Sequence, residues 1–569
     1  MLTADRDDEM RFRIDIGELS AMDVTTKEGD FARLTLPGFH TSQIEGAPQL
    51  PMMNRLVAIP YGASARVEVL SVQSRTIDLA DYGITTPLFP MQPSVAKNAD
   101  LDNLPFVYDR AAYAQPKVGG AMARIVELGS LRSQALGRLE ISPVEYLPGE
   151  NQLVIHESMD VRVVFDGADK SAGDYVAAST YSPFFAPVFA NVAGAKINHI
   201  DHPDRVGDEV TMVIVTAPEF EYQLAGFVTW KTERGFKVIL AVMGTPEVGS
   251  TTASIQTYLH GLYNDATPAD PAPSFVLFVG DVAQCPTFTE AGDATDRPYC
   301  AVDGDLYPEM YYGRFSATNS AQLQAMLDKT MMYDQFTMPD PSYLGNVTMI
   351  AGVDSGYAPT HGNGQINYGT THYFNAAHGI TSNTYLYPAS DDPGASASII
   401  QDCNDGIGFV NYTAHGSTTN WSDPSFTQAD INSLTNYGKY FLAVGNCCLT
   451  SSYDLGECFA ETWLRATDKG AIGYIGGSNS TYWDEDYWWG VGFHASAEID
   501  GSAYPYESTG LGVYDGVFHD HGEAQTQWYV TNDAVVFSGN MAVTEAGSSI
   551  EAYYWNIYNL MGDPSLSTY

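Results

Sequence analysis

His415 and the adjacent pair Cys447 and Cys448 are the residues of this 569-residue chain whose types and spacing permit covalent chemistry. An imidazole and a thiol are the minimum for a cysteine nucleophile with its proton acceptor. His415 ends the apolar run GIGFVNYTA, the cysteines end YFLAVGN, and 33 positions separate His415 from Cys448. Runs this short, β-rich and bounded by small residues predict buried neighbouring strands. Each then delivers its reactive group at a strand's carboxyl end, where open α/β sheets build their sites. Gly416 leaves its N–H unobstructed, and with the N–H of the cysteine it offers two donors to a tetrahedral oxyanion. A buried cysteine by itself is more often packing than nucleophile. The conjunction of two strand ends, small residues and both side chains carries the reading.

The elements that must hold these residues divide into two kinds. From residue 8 to about 168, short alternating stretches such as RFRIDIG, ARLTLPG, ARVEVLSV and GRLEISPVEYLP are separated by Gly, Pro and Asn turns. That pattern predicts an all-β sandwich over residues 1–200. A polar stretch, KINHIDHPDR, reads as an exposed linker. From Val210 strands alternate with helices: EVTMVIVT, then FEYQLAGFVTWKTERG, then FKVILAVM, SIQTYLHGLYND and SFVLFVGD. Alternation of this kind predicts α/β, with a largely parallel sheet and helices on both faces, over 201–569. The two parts of that region are expected at about 201–340 and 341–569.

Composition sets bounds. Hydrophobic residues make up 44% and aromatic residues 12%, enough for cores. A formal charge of −42, from 69 acidic and 27 basic side chains, opposes binding to nucleic acid or an anionic membrane, and favours cations. No apolar run is long enough to span a bilayer. The first residues are charged where a signal peptide is apolar, so the protein is cytosolic or a leader is missing from this chain. The six cysteines lie between Cys285 and Cys458, which is no disulfide scaffold. Cys285 and Cys300 could close a small loop.

NYTAHGSTTNWSDP, YFLAVGNCCLTSSYD, ECFAETWLRATDKGAIGYIGGSNSTYWDEDYWWGVG and MGDPSL together resemble the gingipain family of cysteine peptidases, in its Lys-specific branch. The likeness runs from about residue 196 to the C-terminus. It continues more weakly in EGAPQLPMMNRLVAIPYGA and ISPVEYLPGE, which resemble the family's β-rich propeptide. The His-then-Cys order is that of the caspase-like clan, so the resemblance implies a caspase-like sheet preceded by an inhibitory β-sandwich. It also implies a secreted or cell-surface bacterial peptidase.

Matched to the family pattern, GNCCLTSSYD places the nucleophile at Cys448, with Cys447 as its buried neighbour. His415 is then the proton carrier, Gly416 an oxyanion donor, and Asp354, in TMIAGVDSGYAP, the acid that orients His415. The resemblance puts Trp483, Asp486 and Thr413 in the S1 pocket. The physics agrees: a lysine wants an aromatic wall for its stem and a carboxylate for its head. Where the Arg-specific branch has an acid, this chain has Gln365 and Asn367, favouring Lys over Arg at P1.

DGDLYPE has alternate carboxylates and a Gly, a composition that suits calcium but lacks EF-hand spacing. The resemblance extends this to a structural calcium on Asp281, Asp303, Asp305, Glu309 and the Tyr307 carbonyl. It also suggests a second ion, sodium or calcium, at Tyr453 and Glu461. No organic cofactor is implied. The expected partners are Lys-containing peptides or proteins and the chain's own propeptide. Arg132, in ELGSLRSQALGR, is the candidate basic side chain that blocks the cleft, with processing near Lys196 or Arg205. The alternatives are an Arg or mixed P1 preference, and a non-catalytic calcium-stabilised adhesin or binding module.

Overall fold

The computed structural model describes residues 2–190, 192–195, 210–493, 511–518 and 530–569. The expected linker, with Lys196 and Arg205, lies outside the described residues, as does the expected boundary at 200.

The second region is built on one ten-stranded sheet. In chain order its strands are β1 (Val210–Thr216), β2 (Phe236–Val242), β3 (Phe275–Val279), β4 (Tyr311–Phe315) and β5 (Asn346–Ala351). They continue as β6 (Thr381–Tyr385), β7 (Phe409–Thr413), β8 (Leu442–Asn446), β9 (Gly473–Gly477) and β10 (Tyr558–Gly562). The spatial order is β2-β1-β3-β4-β10-β9-β8-β7-β5-β6. Every pairing is parallel except β9 with β10. The sheet is therefore two parallel halves of opposite direction. The chain's last strand, β10, crosses back to complete the first half, so the two parts expected at 340/341 share one sheet.

All residues of β3, β4, β7, β8 and β9 are buried. Parallel strands covered on both faces require this. Successive side chains point to opposite faces. Leu442 and Val444 join the core on one face, and Ala443 joins the core on the other.

The N-terminal region is an antiparallel sandwich. One sheet has five strands, centred on Gln152–Asp166 between Glu9–Asp15 and Ser64–Asp78. The other runs His40–Thr41, Pro51–Ile59, Gln134–Ile141, Ala123–Leu131. Phe12, Ile14, Val161 and Val163 from the first meet Val57, Ile59, Leu139 and Ile141 from the second in a common core. Between these strands, residues 83–122 are mostly irregular and reach across to the second region.

Candidate active site

Three adjacent strands end on one rung: Ala351 of β5 is level with Thr413 of β7, and Thr413 with Asn446 of β8. Just beyond these ends come Asp354, His415 and Cys448. A parallel sheet with strands about 4.8 Å apart thus lines up an acid, an imidazole and a thiol along one edge. His415 Nε2 lies 3.1 Å from Asp354 Oδ2. Asp354 is itself fixed, because its Oδ1 accepts the N–H groups of Gly356 and Tyr357, both at 2.8 Å. The Tyr412 hydroxyl donates to the His415 carbonyl at 2.6 Å and holds the turn. Trp483 meets the His415 ring edge-on, with centroids 5.7 Å apart.

The loops fit only because glycine occupies two close approaches. A Cβ on Gly416 would lie 2.8 Å from the Cys448 carbonyl and 2.9 Å from Cys447 Sγ. One on Gly352 would lie 2.2 Å from the Ala414 Cβ.

The two cysteines differ in setting. Cys447 Sγ points into the core beside Thr450 Oγ1, and burial pushes its thiol up to about 12. Cys448 Sγ accepts the Thr481 N–H at 3.3 Å. Burial raises the Cys448 thiol too, while the Thr481 contact and the nearby Lys97 ammonium pull it down.

Lys97 is the residue that sequence reasoning missed. Its side chain is fully enclosed, with Nζ 2.8 Å from Asp486 Oδ2. It donates to the Asn446 carbonyl at 2.7 Å and to Thr413 Oγ1 at 3.2 Å, and stands 4.6 Å over the Trp483 ring. Trp483, Asp486 and Thr413 thus meet around one lysine. Asp486 Oδ1 accepts from the hydroxyls of Tyr554 (2.9 Å) and Tyr558 (2.5 Å), two further residues with no signal in the sequence. Gln365 stands behind the pocket, hydrogen-bonded to Asn446 Oδ1 at 2.9 Å. The backbone of the docked segment is extended: Lys97 N–H donates to the Thr481 carbonyl, Trp483 N–H donates to the Val95 carbonyl, and Ala96 pairs antiparallel with Tyr482.

Arg132 is not in this cleft, which corrects its assignment as the blocking side chain. It sits at the tip of the hairpin between Ala123–Leu131 and Gln134–Ile141, with φ of 51°. Its guanidinium donates to the carbonyls of Thr180, Ala272, Pro273 and Glu309, and lies over the rings of Phe185 and Tyr263. A guanidinium satisfied by four carbonyls is a pin between the two regions, and burial lowers its pKa.

The acidic residues separate into two places. Asp303, Asp305 and Glu309 share the loop before β4, where Ser130 of the N-terminal region donates to both aspartates. Glu309 is fully buried, its Oε1 has no hydrogen-bond partner, and burial beside Asp303 and Asp305 pushes its carboxyl up to about 9. An unpartnered buried oxygen beside two carboxylates is one that a cation would relieve, although among the described residues no three such side chains converge as a metal cluster. Asp281 does not belong to that set. It follows the carboxyl end of β3, whereas Glu309 precedes the amino end of the parallel neighbour β4, so the full length of these five-residue strands, about 16 Å, lies between them. There Asp281 pairs with Arg465 at 2.9 Å. Glu461 is bound by Arg465 (2.7 Å), Ser316 Oγ (2.5 Å) and the Cys458 N–H (2.8 Å), and the Tyr453 hydroxyl bonds Thr287. A guanidinium already on the carboxylate does not fit a second metal there. Cys285 and Cys300 are separate buried thiols, like the other four cysteines.

Residues 206–569 match the sequence model of Peptidase family C25, and residues 3–177 match Propeptide_C25. The chain is 38% identical to Lys-gingipain of Porphyromonas gingivalis over 563 residues, covering 97% of this chain and 32% of that protein. It is 26% identical to Gingipain R2 of the same species over 475 residues, 81% of this chain and 61% of the relative. The chain thus spans about a third of the length of Lys-gingipain. Among solved structures, one described as "Structure of Protease" superposes with TM-score 0.58 at 39% identity, over 63% of this chain and 78% of that one. The Arg-specific cysteine proteinase gingipain R superposes with TM-score 0.51 at 24% identity, over 64% and 79%, which speaks for the fold. Sheet, strand-end residues and sequence agree: the chain belongs to peptidase family C25 and carries that family's propeptide ahead of the peptidase domain.

Proposed function

We propose that the chain is the zymogen of a cysteine endopeptidase that cuts peptide bonds after lysine. The observation that carries this reading is the Lys97 ammonium held by Asp486, Thr413 Oγ1 and the Asn446 carbonyl over Trp483. The segment around it is paired antiparallel to the 481–483 edge, as an extended substrate would be. A pocket that encloses an ammonium on all sides is a recognition site for lysine, and here the chain's own propeptide fills it.

In the active state, His415 Nε2 donates to Asp354 and its Nδ1 takes the thiol proton of Cys448. The thiolate attacks the scissile carbonyl, and the N–H groups of Gly416 and Cys448 stabilise the oxyanion. His415 then protonates the leaving amine, and water resolves the acyl-enzyme by the reverse path. The raised Cys448 thiol suits a resting zymogen: the docked segment excludes water and so disfavours the thiolate, and the Lys97 ammonium offsets only part of that. Departure of the segment would remove that ammonium but admit water and undo the burial that is the largest cause of the raised thiol.

Calcium would be held by Asp303, Asp305, Glu309 and the Tyr307 carbonyl, a reading supported by the unpartnered Glu309 Oε1. Its role would be to neutralise the loop carboxylates and fix the amino end of β4. The likeness to Lys-gingipain supports a secreted or cell-surface location. No helix among the described residues is long and apolar enough to cross a membrane.

The test is a peptide series varied at P1, given to the full chain before and after its activity develops. Cleavage confined to Lys peptides, absent at first and rising with loss of the propeptide, supports the reading. Equal cleavage at all P1 residues, or no cleavage at any, overturns it.

A further inference from the structure

The helix Trp483–Val491 opens with three consecutive carboxylates, and each faces a different group of the N-terminal region. Asp486 takes Lys97. Asp484, hydrogen-bonded to His361 at 2.9 Å, faces the Arg33 guanidinium. Glu485, between them, is 2% exposed and has two serine donors. Ser548, of its own domain, donates to Oε1 at 2.7 Å, and Ser94, of the propeptide, donates to Oε2.

We propose that Glu485 is a specificity-determining residue that reads the fourth substrate residue on the amino side of the cut, selecting a short hydroxyl side chain there. The inference rests on the lysine-directed endopeptidase reading and deepens it. If Lys97 fills the place of P1, the antiparallel pairing fixes Val95 at P3 and Ser94 at P4. Ser94 therefore marks where a substrate's P4 side chain arrives.

The chemistry follows from the loss of one donor. When the propeptide leaves, Ser548 stays on Oε1 and Oε2 loses its protein donor; a substrate seated in the same place again shuts out water. A buried carboxylate oxygen without a donor is costly, so a substrate that restores the donor binds better than one that does not. Ser or Thr has the length of Ser94 and supplies an O–H. Ala leaves Oε2 bare. Glu or Asp would bring a further carboxylate against Glu485 and Asp484. Burial already pushes the Glu485 carboxyl up to about 7, and the two hydroxyls oppose that push. This is the expected signature of an acceptor that depends on its donors.

The experiment uses the full chain, incubated until its activity reaches a plateau, and a series of Lys-P1 peptides identical except at P4. Ser and Thr peptides should exceed Ala by about tenfold in kcat/KM, and Glu should be poorest. Glu485→Gln should flatten the series. A series that is flat in the unaltered chain, or one in which Glu equals Ser, overturns the proposal while leaving lysine specificity intact. Failure of every Lys peptide instead overturns the reading beneath it. A second measurement needs no turnover: in the full chain, Ser94→Ala should raise the rate of Cys448 alkylation by iodoacetamide several-fold, and Ser94→Thr should restore it. Equal rates in all three chains overturn the proposal.

Discussion

Lys97 Nζ lies 2.8 Å from Asp486 Oδ2, with both side chains fully removed from solvent. A pair enclosed this way is weak evidence for stability, because desolvation offsets most of the attraction. Removing one partner is a different matter and costs about 3–5 kcal/mol, since a buried charge is left alone. Lys97→Ala should therefore loosen the docked segment by a factor of 100 or more, roughly, at 1.4 kcal/mol per decade. Alkylation of Cys448 in the uncleaved chain measures this. A rate equal to that of the unaltered chain would mean that Lys97 does not hold the cleft shut.

The two cysteines should separate cleanly. Cys448→Ala should abolish cleavage of Lys peptides. Cys447→Ala keeps it and lowers stability by about 1 kcal/mol or more, because it removes a packed sulfur from the core. Activity assays with thermal melts on both variants check the assignment. Loss of activity from Cys447→Ala at unchanged stability would reverse it.

Asp354→Asn keeps a side-chain oxygen for the Gly356 and Tyr357 N–H groups, so the turn should survive. It removes the charge that steadies the His415 imidazolium. The expected result is a loss of about 100-fold or more in kcat with little change in KM, and an altered pH–rate profile. An unchanged profile would relegate Asp354 to a structural cap.

Metal removal should act through the loop before β4. Chelation should lower the apparent melting temperature of the full chain, and calcium should restore it. Glu309→Gln should blunt the response, whereas Asp281→Asn should leave it intact, because Asp281 lies at the opposite edge of the strands. A calcium response that depends on Asp281 would contradict the separation of the two acidic sites.

Lys329 makes a pH prediction. It is 2% exposed, its Nζ donates to the carbonyls of Trp463 and Lys469, and burial pushes its pKa down to about 7. In the unfolded chain a lysine titrates near 10.4, so between about pH 7 and 10.4 the unfolded state binds the extra proton. The penalty of burying Lys329 is therefore full below about pH 7 and fades as pH rises toward 10.4. Lys329→Met should be most stabilising, relative to the unaltered chain, near neutral pH, and the gain should shrink by pH 10. Melting curves at both pH values check this; a gain that grows with pH would have the wrong sign.

Much of the site was legible because strand ends are legible. The runs before His415 and Cys448 are too apolar and too short for anything but buried parallel strands, and their small flanking residues mark tight turns. Family resemblance chose between the cysteines, and the inward-facing Cys447 is compatible with that choice. Other features left no local trace. Tyr554 and Tyr558 reach Asp486 from the far end of the chain, and periodicity cannot report which tyrosine hydroxyl meets which carboxylate. Lys97 was a different kind of omission. A pocket read as lysine-directed calls for a lysine as its blocking residue, and before Lys196 the chain has only Lys27, Lys97, Lys117 and Lys170. Lys97 lies in PMQPSVAKNADLDN, a proline-marked stretch without strand or helix periodicity, as a segment laid into a cleft should be. Arg132 drew attention because it is basic and lies in the β-rich region ahead of the peptidase domain. Its hairpin tip instead reaches for backbone carbonyls, a role for which side-chain patterns carry no signal.

Lysine recognition rests most directly on the Asp486 carboxylate. The decisive measurement is kcat/KM for matched Lys-P1 and Arg-P1 peptides with the activated chain and its Asp486→Ala variant. The unaltered chain should strongly prefer Lys, and the variant should lose at least about 100-fold on the Lys peptide, where a buried ammonium would lack its partner. An unchanged Lys preference in Asp486→Ala would contradict that role for the carboxylate.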